Sequence, residues 1–201
     1  MASEQLFRIL FWILILGVLM MRIVFTLRVR LAGERVMPDR AAVQREGMAA
    51  FLVRVVGGFL VFGLLIAFAV QPAWLAELSI PFPDVLRWLG FLLGLAGLGI
   101  WIWAQIALGK EWSPQLQLRE KHRLVTAGPY ARMRHPIYSG MIVWVGGLVL
   151  LTANWIFVAF AVLMCGMFVA RVPKEEQMMI DEFGEEYREY MKRTGRVFPK
   201  L

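Results

Sequence analysis

Apolar residues fall in long blocks along this chain, and most of the charge sits in the short stretches between them. Runs over residues 6–27, 49–70 and 85–108 each reach or pass the length of about 20 residues that a helix needs to cross a bilayer. Two shorter runs, 137–152 and 155–170, are joined by Thr152-Ala153-Asn154. So short a link permits only a tight helical hairpin. Beyond Pro173 the pattern changes. Met179, Phe183, Tyr187 and Tyr190 recur on one helical face, with Glu182, Glu185, Glu186, Arg188 and Glu189 mostly elsewhere. Pro173 suits the first turn of such a surface helix, and Glu175 and Glu176 suit the positive end of its dipole. The predicted architecture is all-α: a polytopic membrane protein with five transmembrane helices, the last two a hairpin, then a C-terminal cytoplasmic helix. It reads as one membrane domain over 1–201, with three spans in 1–108 and the candidate chemistry in 109–201.

The charges give this pattern an orientation. Arg28, Arg30, Arg35, Arg40 and Arg45 follow the first run, against Glu34, Asp39 and Glu46, and residues 71–84 contain no Lys or Arg. Lys110, Arg119, Lys121, Arg123, Arg132 and Arg134 crowd the segment after the third run. The positive-inside rule then sets the N-terminus outside and the C-terminus in the cytoplasm. The first run is too long for the apolar core of a signal peptide and is read as a mature span. Gly90 and Gly94 form a Gly-x-x-x-Gly pair suited to close helix packing in lipid. Trp101, Trp103 and Trp112 approach the cytoplasmic interface.

Composition agrees with a membrane protein: 59% of the 201 residues are hydrophobic and the mean hydropathy is +0.62, too apolar for an ordinary soluble domain. The net charge of +7 is what loop topology requires, with a surplus attraction to anionic lipid headgroups rather than to nucleic acid. The single cysteine, Cys165, lies in an apolar run and reads as a small buried hydrophobe. With two histidines, His122 and His135, no metal site is expected. No P-loop, no Gly-x-Gly-x-x-Gly after a strand and no nucleophile elbow around Ser139 are present.

What remains is the end of the hairpin where both of its helices carry ionisable groups. Pro136 opens the fourth run, leaving the first-turn amides of Ile137, Tyr138 and Ser139 free to face an anion such as a carboxylate or phosphate. Arg134 and His135 add donors, and Glu175 and Glu176 supply acceptors for hydroxyls or an amine. A zwitterionic ligand with sugar hydroxyls fits that set. Interfacial caps and snorkelling cations fit it as well, and these residues alone leave both readings open.

The motif order carries more. Leu124-Val125-Thr126, Gly128-x-Tyr130 and Arg134-His135-Pro136-x-Tyr138-x-Gly140 come first, followed by Glu175-Glu176, Phe183-Gly184-x-x-Tyr187-x-x-Tyr190 and a late Pro199. Across the C-terminal half this resembles the isoprenylcysteine carboxyl methyltransferase family, whose wider group includes phospholipid N-methyltransferases. The resemblance implies an integral membrane methyltransferase that uses S-adenosylmethionine, releases S-adenosylhomocysteine and lacks a soluble Rossmann-type domain. Carried over by motif, the cofactor contacts are His122, Leu124, Val125, Gly128, Tyr130, His135, Pro136, Tyr138 and Glu176. His122 rests on its position before Leu124-Val125 alone.

In that scheme His135 and the first-turn amides hold the methionyl carboxylate, and Glu176 or Glu175 binds the ribose or amino group. Arg171 orients the carboxylate of a lipophilic substrate such as a prenylated cysteine, which enters from the bilayer while cofactor arrives from the cytoplasm. An amine acceptor, as in a phospholipid, would instead need Glu175 near the sulfonium to take or balance a proton. A scaffold or small transporter is the competing class. Transporters favour inverted repeats and intramembrane charges, and two matching apolar halves are not evident here.

Overall fold

The computed structural model describes residues 4–31, 48–109 and 124–200. Seven α-helices account for most of them: α1 (Glu4–Leu31), α2 (Met48–Val70), α3 (Ala73–Glu77), α4 (Asp84–Leu108), α5 (Pro136–Thr152), α6 (Trp155–Phe183) and α7 (Glu185–Arg193). A 3-10 turn at Gly128–Ala131 precedes α5. The described residues form no sheet, only isolated bridges between Ser79 and Asn154 and between Met133 and Gly195. Helices α1, α4 and α6 are long and apolar enough to cross a membrane, while Val55–Val70 within α2 and Pro136–Thr152 are shorter apolar helices. Large apolar side chains such as Met20, Phe59, Leu92 and Val162 point outward along these helices, as lipid-facing surfaces do. The basic residues at 32–47 and 110–123 lie outside the described residues, as does Trp112.

The antiparallel pair α4 and α5 forms the spine, and glycine makes it possible. A Cβ on Gly97 would lie 2.3 Å from the Trp144 backbone nitrogen, and one on Gly147 would lie 2.4 Å from that of Gly94. Gly90 meets the backbone of Gly147 and Leu151, and Gly140 meets that of Gly97 and Trp101. The seven-residue spacing of Gly90 and Gly97 matches that of Gly140 and Gly147, so both pairs close at once. Backbone-to-backbone approach of this kind substitutes dispersion for the hydrophobic force that lipid does not supply. The expected Gly90/Gly94 packing role holds, although Gly94 also seats Leu14 of α1. Trp101 is buried against Gly140 instead of standing at the lipid interface.

The end of the bundle that holds the α5–α6 turn is tied by specific polar contacts. Ala153 turns through a left-handed conformation (φ 48°), and Asn154 caps α6 by accepting from the Ile156 amide at 3.1 Å. The Asn154 amide donates to the Leu75 carbonyl at 2.8 Å, and Ile80 and Trp155 exchange backbone bonds with Ala153 and Leu78. The hairpin tip is thereby fastened to the α2–α4 connection. Arg87 adds a fork to Glu4 at 2.5 and 2.9 Å, a bond to the Leu151 carbonyl at 2.9 Å and a seat over the Phe7 ring. Phe11, Phe68 and Phe157 meet within 5.5 Å, joining α1, α2 and α6.

One expectation is corrected. Pro173 does not open a new helix: α6 runs unbroken from Trp155 to Phe183 with Pro173 inside it. The proline φ fits a helix, and the cost is one lost bond to a carbonyl four residues back. The break falls instead at Gly184, whose φ of 54° only glycine adopts freely. The predicted apolar face survives that break, since Tyr187 and Tyr190 on α7 are buried.

Candidate active site

Proline and glycine shape the approach to α5. Gly128 (φ 62°) sets the 3-10 turn close to Trp103 and Ala107 of α4, and Pro129 and Tyr130 are buried behind it. The chain then runs extended through Met133 and Arg134 into Pro136, the first residue of α5, with His135 at the N-cap. The last residues of the chain lie alongside. Gly195 donates to the Arg132 carbonyl at 3.1 Å, Arg134 to the Gly195 carbonyl at 2.9 Å and His135 to the Arg196 carbonyl at 3.0 Å. Ser139 adds a side-chain bond to the Val197 carbonyl.

Against this edge α6 presents Arg171, Glu175 and Glu176. Glu175 accepts from the Tyr138 hydroxyl and from Arg171 Nε, both at 2.7 Å. Glu176 accepts from Arg134 Nε at 2.8 Å on one oxygen and from Arg196 at 2.5 Å on the other. His135 stands between the two carboxylates, Nδ1 3.6 Å from Glu175 and Nε2 3.5 Å from Glu176. Its ring stacks on Tyr138, which stacks in turn on Phe168. Arg134 also donates to the carbonyls of Met191 (3.1 Å) and Thr194 (2.5 Å), so it pins three segments to one carboxylate. Tyr190 closes the base by donating to the Tyr130 carbonyl at 2.6 Å. Burial pushes the Tyr190 hydroxyl up to about 12 and raises Tyr130 and Tyr187 likewise, so these phenols stay neutral and Tyr190 keeps its proton to donate.

The two carboxylates are not equivalent. Glu176 is 4% exposed with both oxygens engaged, whereas Glu175 is 20% exposed. His135 Nε2 is buried without a hydrogen-bond partner, as are Trp101 Nε1, Trp144 Nε1 and Gln105 Oε1. Unpaired buried polar atoms are costly and uncommon, and His135 is the N-cap of a helix whose Ile137 and Tyr138 amides lack acceptors within the helix. The Ser139 amide, expected to be free, donates to the His135 carbonyl at 3.1 Å. Donors at one side and a carboxylate at the other suit a zwitterion carrying hydroxyls. Among the described residues no group of three or more His, Cys, Asp or Glu is placed to hold a metal ion.

Of the residues singled out from sequence, Arg171, Glu175, Glu176, His135, Pro136 and Tyr138 come together. Tyr130 lies one layer below, under Tyr190. Gly128 faces α4, and Leu124 and Val125 are partly buried on the strand of chain leading to it. His122 lies outside the described residues. The tail went unnoticed: Thr194 and Arg196 belong to no periodic pattern, and only their contacts reveal them.

Residues 88–181 match the isoprenylcysteine carboxyl methyltransferase family. Protein-S-isoprenylcysteine O-methyltransferase B of Arabidopsis thaliana is 40% identical over 99 residues, 48% of this chain and 50% of that protein. The Homo sapiens protein-S-isoprenylcysteine O-methyltransferase is 42% identical over 89 residues, 43% of this chain and 31% of its own length. The chain thus spans half or less of these two relatives. A solved structure of the eukaryotic intramembrane Ras methyltransferase, an isoprenylcysteine carboxyl methyltransferase, aligns with a TM-score of 0.52 at 23% identity, covering 82% of this chain and 54% of that one. That alignment speaks to the fold. The family resemblance read from the motifs is borne out.

Proposed function

We propose, with the family match of residues 88–181 as premise, that this chain is an integral membrane methyltransferase acting on the carboxylate of a lipophilic, prenylcysteine-like substrate with S-adenosylmethionine as donor. The observation that carries the reading is the joint placement of His135, Tyr138, Arg171 and Glu175 around the mouth of the α5–α6 hairpin. When bound, S-adenosylmethionine supplies a methyl group on a cationic sulfur, and a carboxylate acceptor needs no general base.

The protein's task is then to bind, orient and exclude water. His135 and the first-turn amides of Ile137 and Tyr138 hold the methionyl carboxylate. Glu175, the more accessible of the two acidic residues, takes the amino group or ribose hydroxyls, and Glu176 stands behind it as an internal brace. Arg171, fixed by Glu175, directs the acceptor carboxylate. The apolar faces of α4, α5 and α6 form the wall through which a lipid chain reaches the site. All five apolar helices span the bilayer in this account, with the N-terminus outside and the site facing the cytoplasm. A carboxylate acceptor is favoured over a lipid amine because Glu175 is already paired with a guanidinium and a phenol, a poor setting for a proton acceptor.

Purified protein incubated with methyl-labelled S-adenosylmethionine should label N-acetyl-S-farnesylcysteine and not phosphatidylethanolamine. Arg171→Ala should lower turnover about 10²-fold, the scale of a misplaced reactant, with cofactor affinity kept. Label on the phospholipid would move the acceptor to the amine class. Unchanged turnover in Arg171→Ala would remove that residue from its role.

A further inference from the structure

The chain's last residues fold back as a strap across the site, and we infer that Arg196 is a positioning residue that acts through Glu176 to keep His135 presented to the cofactor. This rests on the reading above that His135 faces the methionyl group. Three backbone bonds fix the strap in parallel register with residues 132–135. Thr194 anchors its start by donating to the Tyr190 carbonyl at 2.7 Å and accepting from Arg134 at its own carbonyl. At Gly195 a Cβ would lie 1.8 Å from the Phe198 carbonyl oxygen, so the reversal admits no side chain. Ser139 then holds the Val197 carbonyl, and Lys200 reaches the Lys192 carbonyl at 2.7 Å. The strap is therefore held by its backbone, and the Arg196 side chain is left for another task.

That task is visible at Glu176. Its carboxylate is buried and divided, one oxygen to Arg134 and the other to Arg196. His135 Nε2 lies 3.5 Å from the Arg134-bound oxygen and makes no hydrogen bond. Each oxygen thus already holds one guanidinium, and the two compete with the imidazole for the carboxylate. Without Arg196 one oxygen of the buried carboxylate loses its partner, and His135, 3.5 Å from the other oxygen, is a donor placed to turn toward the group. The imidazole would then be spent inside the protein. Across His135, Arg171 and Tyr138 both hold one oxygen of Glu175, and its other oxygen stands 3.6 Å from Nδ1, beyond hydrogen-bond reach. The consequence falls on cofactor binding, not on the transfer step, because Arg196 touches neither Arg171 nor Glu175 in this arrangement.

The test is calorimetric binding of S-adenosylhomocysteine to the full chain in detergent, beside methyl-transfer kinetics and a thermal melt. Arg196→Gln should weaken binding about tenfold, as loss of a charge-assisted hydrogen bond predicts, and raise KM for the donor with kcat little changed. Its melting temperature should stay close to wild type. Arg196→Lys should fall between the two. In a Glu176→Gln background, Arg196→Gln should add less than about a twofold loss, because residues acting through one group are not additive. Equal binding by wild type and Arg196→Gln overturns the assignment, as does an undiminished loss in the Glu176→Gln background. Should Arg196→Gln fail to fold, Arg196→Lys decides: weakened binding supports the role and unchanged binding removes it. No binding by the wild-type protein overturns the cofactor reading itself, and this inference with it.

Discussion

Arg134 joins separate parts of the site through one side chain: its guanidinium reaches Glu176, Met191 and Thr194. Removing it leaves the buried Glu176 to Arg196 alone, and loss of a hydrogen bond to a charged group costs about 1.5–3 kcal/mol. Arg134→Ala should therefore unfold at markedly lower denaturant in detergent, and a midpoint equal to wild type would show that the carboxylate finds another partner. The phenols below it give a pH signature. Burial raises the Tyr190 hydroxyl from its usual value near 10 to about 12. A raised acid favours the neutral form on folding, so its contribution is complete below about pH 10 and is lost as pH rises through about 12. The melting temperature should hold steady to that lower limit and then fall. Tyr190→Phe should start lower, having lost the bond to Tyr130, and fall less steeply. An identical slope would mean that other groups govern alkaline unfolding. Much at this scale was legible in sequence. His135 and Pro136 stood out at the start of an apolar run and Tyr138 through the family motif, but Arg196 did not, because nothing local ties a lone tail arginine to a carboxylate twenty positions back.

At the level of elements, the helices followed from hydropathy and their pairing did not. The Gly90/Gly94 pair was readable as a packing surface, yet one sequence cannot say which helix it faces. Gly90 and Gly94 face Gly147 of α5, and Gly97 faces Gly140, a pairing detected only when the backbones meet. This seam makes a sharp comparison. Gly97→Ala places a methyl 2.3 Å from a backbone nitrogen and should cost about 1–3 kcal/mol through overpacking. Gly99→Ala meets nothing within 4 Å and should be neutral or gain about 0.5–1 kcal/mol from helix propensity. Equal melting temperatures for the two variants would contradict the close α4–α5 approach. The misplaced helix start at Pro173 has a physical lesson too. Proline marks a helix beginning only when nothing upstream is already helical, and here α6 enters that turn with its register set.

For the whole molecule, the two ends of the bundle differ in kind. One is fastened by Arg87, Asn154 and the α2–α4 connection, with its polar groups turned inward on one another. The other gathers Arg134, Arg171, Arg196, His135 and both glutamates, with unpaired buried atoms among them. The first is built to hold, and the second is the end proposed to bind. The orientation proposed from loop charge is tested with Cys165→Ser protein carrying either Glu77→Cys or Glu189→Cys. A membrane-impermeant maleimide added outside intact cells should label the first and spare the second. Labelling of the second alone would reverse the topology.

The central claim is that the His135 end of the hairpin binds the methyl donor. Calorimetric titration of S-adenosylmethionine into the detergent-purified protein, beside His135→Ala, tests it most directly. Saturable binding that the variant weakens by about tenfold or more, in line with loss of a charged hydrogen bond, is the predicted result. Folded protein that binds no cofactor, or a variant that binds as tightly as wild type, would contradict it.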